Sequence, residues 1–295
     1  MTIIRPDGPI WRMAAPEPVG PPQTLFARLR DQSAAGSVAL GIDCPIGLPR
    51  AYAARYASQA DFPAFLAALG DDPNFLNVAA TLAETSPARP FYPARGIAGM
   101  TRHAHAQALG LPDADALCRA CDRATGERPA GAPLFWTLGA NQSGKAAISA
   151  WGELLIPALH RPDPPLLWPF AGPFRHLVAQ GGIAVAETYP AEALRQLGLR
   201  AAGSKRRQTD RAAYAPAILH AMARLGVQAD APALAAIHAG FGHSTAGEDQ
   251  IDCLLGALCV LSVVIGQRPD TAPEHPAIRQ WEGWVLGQTA LPARL

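Results

Sequence analysis

No stretch of this sequence is apolar for the roughly 18 residues that a membrane-crossing helix needs, and no basic, apolar and small-residue succession marks a leader near Met1. A membrane partner is therefore not expected. Charge of one sign is missing as well: Lys and Arg number 25 against 24 Asp and Glu, a formal net charge of +1. Without a global basic field, any contact with nucleic acid has to rest on a local patch. The cysteines are five, an odd number that suggests reduced thiols, and with the lack of a leader this predicts a soluble, cytoplasmic protein. There is no internal repeat of solenoid length and no low-complexity linker, since the 29 prolines and 27 glycines are scattered as loop punctuation. What is there is 295 residues, 49% hydrophobic and 17% charged, ample for a sizeable core.

The chain is organised around its most apolar stretch, which runs from Gly247 to Gly266 and holds no charged side chain after Asp252. A helix apolar on every side is packed all round inside a domain. Asp249 and Asp252 stand three apart and share a face at its first turn. A carboxylate at the mouth of such a core is costly unless a metal or a donor meets it. Two shorter apolar runs, Ser37-Val-Ala-Leu-Gly-Ile-Asp43 and Gly182-Ile-Ala-Val-Ala-Glu187, read as buried strands whose only acid comes last, with Pro45 and Pro190 close behind. If the strands run parallel, Asp43 and Glu187 leave the sheet at one edge, where open α/β folds place their ligands. Acids converging on one rim make a divalent-metal arrangement. Taken singly, each of these acids reads equally well as a helix cap or a turn former.

Elsewhere the apolar pieces on either side of Asp7-Gly8 suggest a hairpin whose first strand is short or absent. Helical spacing predicts helices over 23–31, 51–57, 62–69, 75–84, 146–159, 191–197 and 213–225, and short apolar runs suggest strands at 134–138 and 166–170. In Pro45-Ile-Gly-Leu-Pro49, Gly47 is read as letting the backbone approach a ligand. The gap between the two acid-bearing strands far exceeds an ordinary connection. We therefore expect one α/β domain over 1–295, with a mainly helical insertion at about 50–175.

Three further motifs stand out. Cys118-Arg-Ala-Cys121 is a redox pair or half of a structural zinc site; no second cysteine pair completes it, leaving His103, His105 or Asp122 to do so. Gly139-Ala-Asn-Gln-Ser-Gly144-Lys145 has phosphate-loop spacing, but Ala146 replaces the Ser or Thr that would hold Mg²⁺. We read it as coincidence, with Gln142 and Lys145 still able to reach a phosphate in another geometry. Lys205, Arg206, Arg207 and Arg211 gather near a helix start, where a bound anion would relieve their conflict with its dipole and where a solvated basic turn is an equal alternative.

In order and spacing, Ile42-Asp43-Cys-Pro-Ile-Gly-Leu-Pro49, Glu187-Thr-Tyr-Pro190, the stretch from Lys205 to Arg211, and Glu248-Asp249-Gln-Ile-Asp252 resemble the domain of unknown function 429 family. The resemblance covers about Ser37 to Gly266. It implies a ribonuclease H-like fold, a mixed sheet with flanking helices, and the activity of a predicted nuclease. Asp43, Glu187, Asp249 and Asp252 would then hold Mg²⁺ or Mn²⁺ for phosphodiester hydrolysis. Lys205, Arg206, Arg207 and Arg211 would meet the phosphates of a nucleic acid or nucleotide. Nothing before Ser37 matches the family's opening strand with its Gly-x-Asp, Asp7 lying in a turn. Either the true start lies upstream of Met1 or one metal ligand is lost, and a lost ligand would leave a non-catalytic nucleic-acid or nucleotide binder. A phosphotransferase using the loop at 139–145 is the third expectation.

Overall fold

The computed structural model describes residues 1–33, 36–72, 74–96, 99–139, 142–200, 203–293 and 295. Among these, six strands are Ile4–Asp7 (β1), Ile10–Met13 (β2), Ser37–Ile42 (β3), Leu166–Leu167 (β4), Gly182–Glu187 (β5) and Val227–Ala229 (β6). They form two three-stranded sheets, β1-β2-β6 and β3-β5-β4, within a mixed α/β architecture. β1 and β2 pair antiparallel from Ile4 opposite Met13 to Asp7 opposite Ile10, so the first strand of the expected hairpin is present. Its turn uses Gly8 at a φ of 60°.

β3 and β5 run parallel and in register, from Ser37 opposite Gly182 to Ile42 opposite Glu187. Their acids therefore leave the sheet at one edge. The central helix, Ala246–Val264, packs against this sheet with Leu254, Leu255, Leu258 and Val263 wholly buried. Two glycines permit the close approach. A methyl group at Gly41 would lie 2.7 Å from both Thr188 Cγ2 and Val260 Cγ2, and one at Gly256 would lie 3.3 Å from Thr188 Oγ1. That seating carries the first turns of the helix to the carboxyl edge of the strands.

Residues 50–175 share the sheet's core: Phe62, Phe91, Phe135 and Trp151 belong to one apolar cluster with Ile183 and Val185. The segment is helical at Arg50–Tyr56, Phe62–Ala68, Arg102–Ala108 and Ser143–Ala150, the last continuing through a π-helical turn at Trp151–Leu155. Several expected elements differ. Over 75–84 there is only a 3-10 turn, Leu82–Glu84, because Phe75 is a core anchor packed edge-on against Phe65 and Phe91 from a loop. At 134–138 the apolar residues also anchor a turn, and a single bridge joins Trp136 to Tyr92. The strand at 166–170 shrinks to Leu166–Leu167, followed by buried Trp168, whose indole N–H donates to the Asp270 carbonyl at 3.0 Å. The helix expected at 213–225 is present as Ala215–Arg224, while the helix Gln208–Ala213 just before it and the helices Phe174–Ala179 and Ala231–His238 were not expected.

Gly47 serves a protein contact and not a ligand. At a φ of 150° its Cβ would overlap the Glu282 carbonyl, and a Cβ at Gly283 would overlap the Ile46 carbonyl. The turn at 45–49 is thus pressed backbone to backbone on 282–283, with the Leu48 N–H donating to the Trp281 carbonyl at 2.7 Å. No helix of the described residues is long and apolar enough to cross a membrane.

The seat of the central helix can be tested at Gly41. Gly41→Ala overpacks it and should cost about 1–3 kcal/mol in urea unfolding. A loss under about 0.5 kcal/mol, ordinary for a surface change, would mean that the contact is loose.

Candidate functional site

A cavity of about 620 Å³ opens at the carboxyl edge of β3 and β5. Its wall is built from several separate parts of the chain. Asp43 to Pro45 and Glu187 to Tyr189 follow the two strands, Glu248 and Asp252 come from the central helix, Arg119 to Arg128 from the insertion, and Gln142, Ser143 and Lys145 from the start of Ser143–Ala150.

Asp43 is exposed at the mouth of the cavity, although the surrounding protein crowds its carboxyl. Burial raises its carboxyl to about 7; the negative charge of Asp252 adds to the rise and Lys205 opposes it. Asp252 forms an ion pair with Lys205 Nζ, and burial still holds its carboxyl above the ordinary range. Glu248 lies one turn before Asp252 on the cavity side, while Asp249 is exposed and is not part of the wall. With about 3.6 residues per turn, positions four apart align more closely than positions three apart. The pair brought to the cavity is therefore Glu248 and Asp252.

Glu187 reaches the cavity wall but is 5% exposed and already bonded. Arg119 donates to both its oxygens, Nη1 to Oε2 at 2.6 Å and Nη2 to Oε1 at 2.8 Å, and the Ile46 N–H donates to Oε2 at 2.8 Å. The same guanidinium grips Asp122, with Nη2 to Oδ1 at 2.8 Å and Nε to Oδ2 at 3.0 Å. Arg119 is 1% exposed, so one cation offsets two buried carboxylates and ties the insertion to the end of β5.

Cys121, Asp122 and Glu187 form the one group of three ligand-type side chains, among the described residues, whose ligand atoms all lie within 4.8 Å of one another. Arg119 already occupies the cationic role there, and burial pushes the Cys121 thiol well above its ordinary pKa. A metal ion would have to displace the guanidinium. Cys118, His103 and His105 do not join this group; His105 is buried, its Nε2 bonded to the Pro90 carbonyl at 2.8 Å. Asp43, Glu187 and Asp252 thus line one cavity, but no three of the four proposed acid ligands close into a set within 4.8 Å.

Of the four predicted phosphate-binding cations, Lys205 is on the wall. Arg211 is 1% exposed and donates to the carbonyls of Gly240, Lys205 and Gly242 at 2.8, 2.6 and 2.6 Å. It lies across Gly247, where a methyl group would meet its guanidinium, and so pins the loops around the start of the central helix. Arg207 pairs with Asp210 at 2.7 Å, and Arg206 is exposed outside the wall. Of the phosphate-loop-like motif, Ala140 and Asn141 lie outside the described residues, while Gln142, Ser143 and Lys145 face the cavity. Sequence reasoning missed Arg119, Arg128 and Glu248. For Glu248 the signal was its four-residue spacing from Asp252; Arg119 was hidden inside a motif read for its thiols.

Set against protein-family models, curated proteins and solved structures, the chain matches none.

Removing one partner of the buried Arg119–Glu187 pair, by Arg119→Met or Glu187→Gln, should cost about 3–5 kcal/mol in denaturant unfolding. The double variant should be less destabilised than the sum of the two. Additive single losses would show that the pair does not act as a unit.

Proposed function

We propose that this cavity hydrolyses phosphodiesters with Mg²⁺ or Mn²⁺ held by Asp43 and Asp252, with Glu248 beside them: a metal-dependent nuclease chemistry on a ribonuclease H-like scaffold. The observation that carries the proposal is the meeting of Asp43, from the end of β3, and Asp252, from the central helix, on one cavity wall, where burial and mutual repulsion lift Asp43 to about 7. Two carboxylates in that state hold a proton or a cation between them. Both offer hard oxygen donors suited to Mg²⁺ or Mn²⁺. A divalent cation there supplies charge stabilisation to the phosphodiester transition state and activates water. Lys205 neutralises Asp252 in the free protein and stands on the cavity wall, where it would meet a substrate phosphate. Glu187 enters the ligand set only by exchanging Arg119; otherwise it positions the wall.

The ribonuclease H-like arrangement is supported by the parallel β3–β5 pair with its terminal acids and by the buried helix that carries further acids to the same edge. A second proposal, a nucleic-acid or nucleotide binder without cleavage, is favoured by one observation. Asp7, the acid that precedes Ser37 in the hairpin, is bonded to Arg12 at 2.8 Å in the other sheet, so no opening-strand carboxylate reaches the cavity.

Calorimetric titration of Mn²⁺ separates the roles of the acids. Asp43→Asn should weaken binding at least about tenfold, whereas Asp249→Asn should leave it unchanged. Hydrolysis of bis(p-nitrophenyl) phosphate with Mn²⁺ should fall to background in Asp43→Asn. Equal Mn²⁺ binding by Asp43→Asn and wild type would contradict the proposal, and binding without hydrolysis by the wild type would select the second.

A further inference from the structure

Lys145 and Lys205 are the only lysines among the 25 basic residues of the chain, and both stand on the cavity wall. Arginine supplies every other cation, and its most buried examples are engaged by the protein itself: Arg119 by two carboxylates, Arg211 by three carbonyls. Lys205 is held by Asp252. Lys145 differs from all of these. It is exposed to the cavity and makes no ion pair or hydrogen bond among the described residues.

Packing places Lys145 there. The helix Ser143–Ala150 starts hard against the turn at 134–137; a methyl group at Gly144 would lie 2.8 Å from the Trp136 carbonyl oxygen and 2.9 Å from that of Leu134. The Gly144 N–H donates to the Trp136 carbonyl at 3.2 Å. Gly144 thus anchors the helix, and Gln142, Ser143 and Lys145 around it form part of the wall. The glycine and lysine that imitate a phosphate loop have separate uses here, one in packing and one in the cavity.

We infer that Lys145, with the Ser143 hydroxyl and the Gln142 amide, forms a second phosphate subsite, and that the substrate is a compact phosphorylated nucleotide of one or two units and not a duplex. This rests on the proposal that Asp43 and Asp252 hold the cation at the scissile phosphate. A lysine is a compact, flexible charge suited to a terminal phosphate, and its charge-assisted bonds add selectivity for that group. The cavity volume of about 620 Å³ falls within the ~300–1,000 Å³ of small-ligand sites. A duplex, by contrast, calls for a broad basic face, and the net charge of +1 supplies none across the chain.

The test is calorimetry with Ca²⁺ as the cation, using the thymidine dinucleotide with and without a 5′-phosphate and a 20-base-pair blunt DNA duplex as competitor. In the wild type the phosphorylated dinucleotide should bind about tenfold tighter than the unphosphorylated one. Lys145→Ala should abolish that preference at an unchanged melting temperature, Arg206→Ala should keep it, and the duplex should not compete. Equal binding of the two dinucleotides by the wild type, an intact preference in Lys145→Ala, or displacement by the duplex would overturn the inference. If any of these occurs while Mn²⁺ still binds through Asp43, only the second subsite falls; if Mn²⁺ binding is itself independent of Asp43, the cation proposal falls with it.

Discussion

The close seating of the central helix on β3, through Gly41, Thr188, Val260 and Gly256, sets the distance between every group that matters in the cavity. Because β3 and β5 are parallel and in register, Asp43 and Glu187 are fixed at one edge by the backbone ladder alone. Asp252 and Glu248 arrive at that edge from a different element, and only the packing of small residues determines how near they come. Interiors packed this tightly resist small displacements, so a helix held at this distance keeps two carboxylates in each other's field in the absence of any ligand.

The charges of the wall divide by the cation that meets them. Arg119 forks to Glu187 and Asp122 in a buried, fully bonded arrangement, and the planar guanidinium fixes both geometry and partner. Such a group holds the insertion to the sheet and leaves few lone pairs for anything else. Asp252, by contrast, is met by a lysine, which is flexible and separable, and Asp43 accepts no such bond from the described residues while sitting where its charge is costly. The rigid half of the wall is structural and the adjustable half is open to a ligand. Both halves are needed: an edge carrying five carboxylates would otherwise repel itself apart.

Much of the central frame was legible in the residues. The strand runs at 37–43 and 182–187 were visible because short, Gly-flanked series of apolar residues closed by an acid suit a buried strand, whereas their shared direction was only a condition there and is given by the parallel pairing of the structure. The central helix was visible from its lack of charge. The insertion was not legible in detail, since Phe75, Leu134 and Phe135 fill a core from loops and turns, where apolar spacing carries no period. The site was half legible. Asp43 and Asp252 announce themselves at the ends of apolar runs, but the partner of Glu187 lies 68 residues away and could not be paired with it from sequence. Arg211 looked like a free cation because its acceptors are carbonyl groups, which no side-chain pattern reveals.

The proposed chemistry depends on Asp43 and Asp252 sensing one another. The direct measurement is a carbon-13 NMR titration of the Asp43 carboxyl in the wild type and in Asp252→Asn. Between its ordinary value of 3.8 and the raised value near 7, the folded protein holds a proton on Asp43 that the unfolded chain has lost, so this group makes stability fall as pH rises through that window. The carboxyl should titrate near 7 in the wild type and distinctly lower in Asp252→Asn. The same titration in both proteins, whether near 7 or near 4, would contradict the account, since Asp43 would then not sense Asp252.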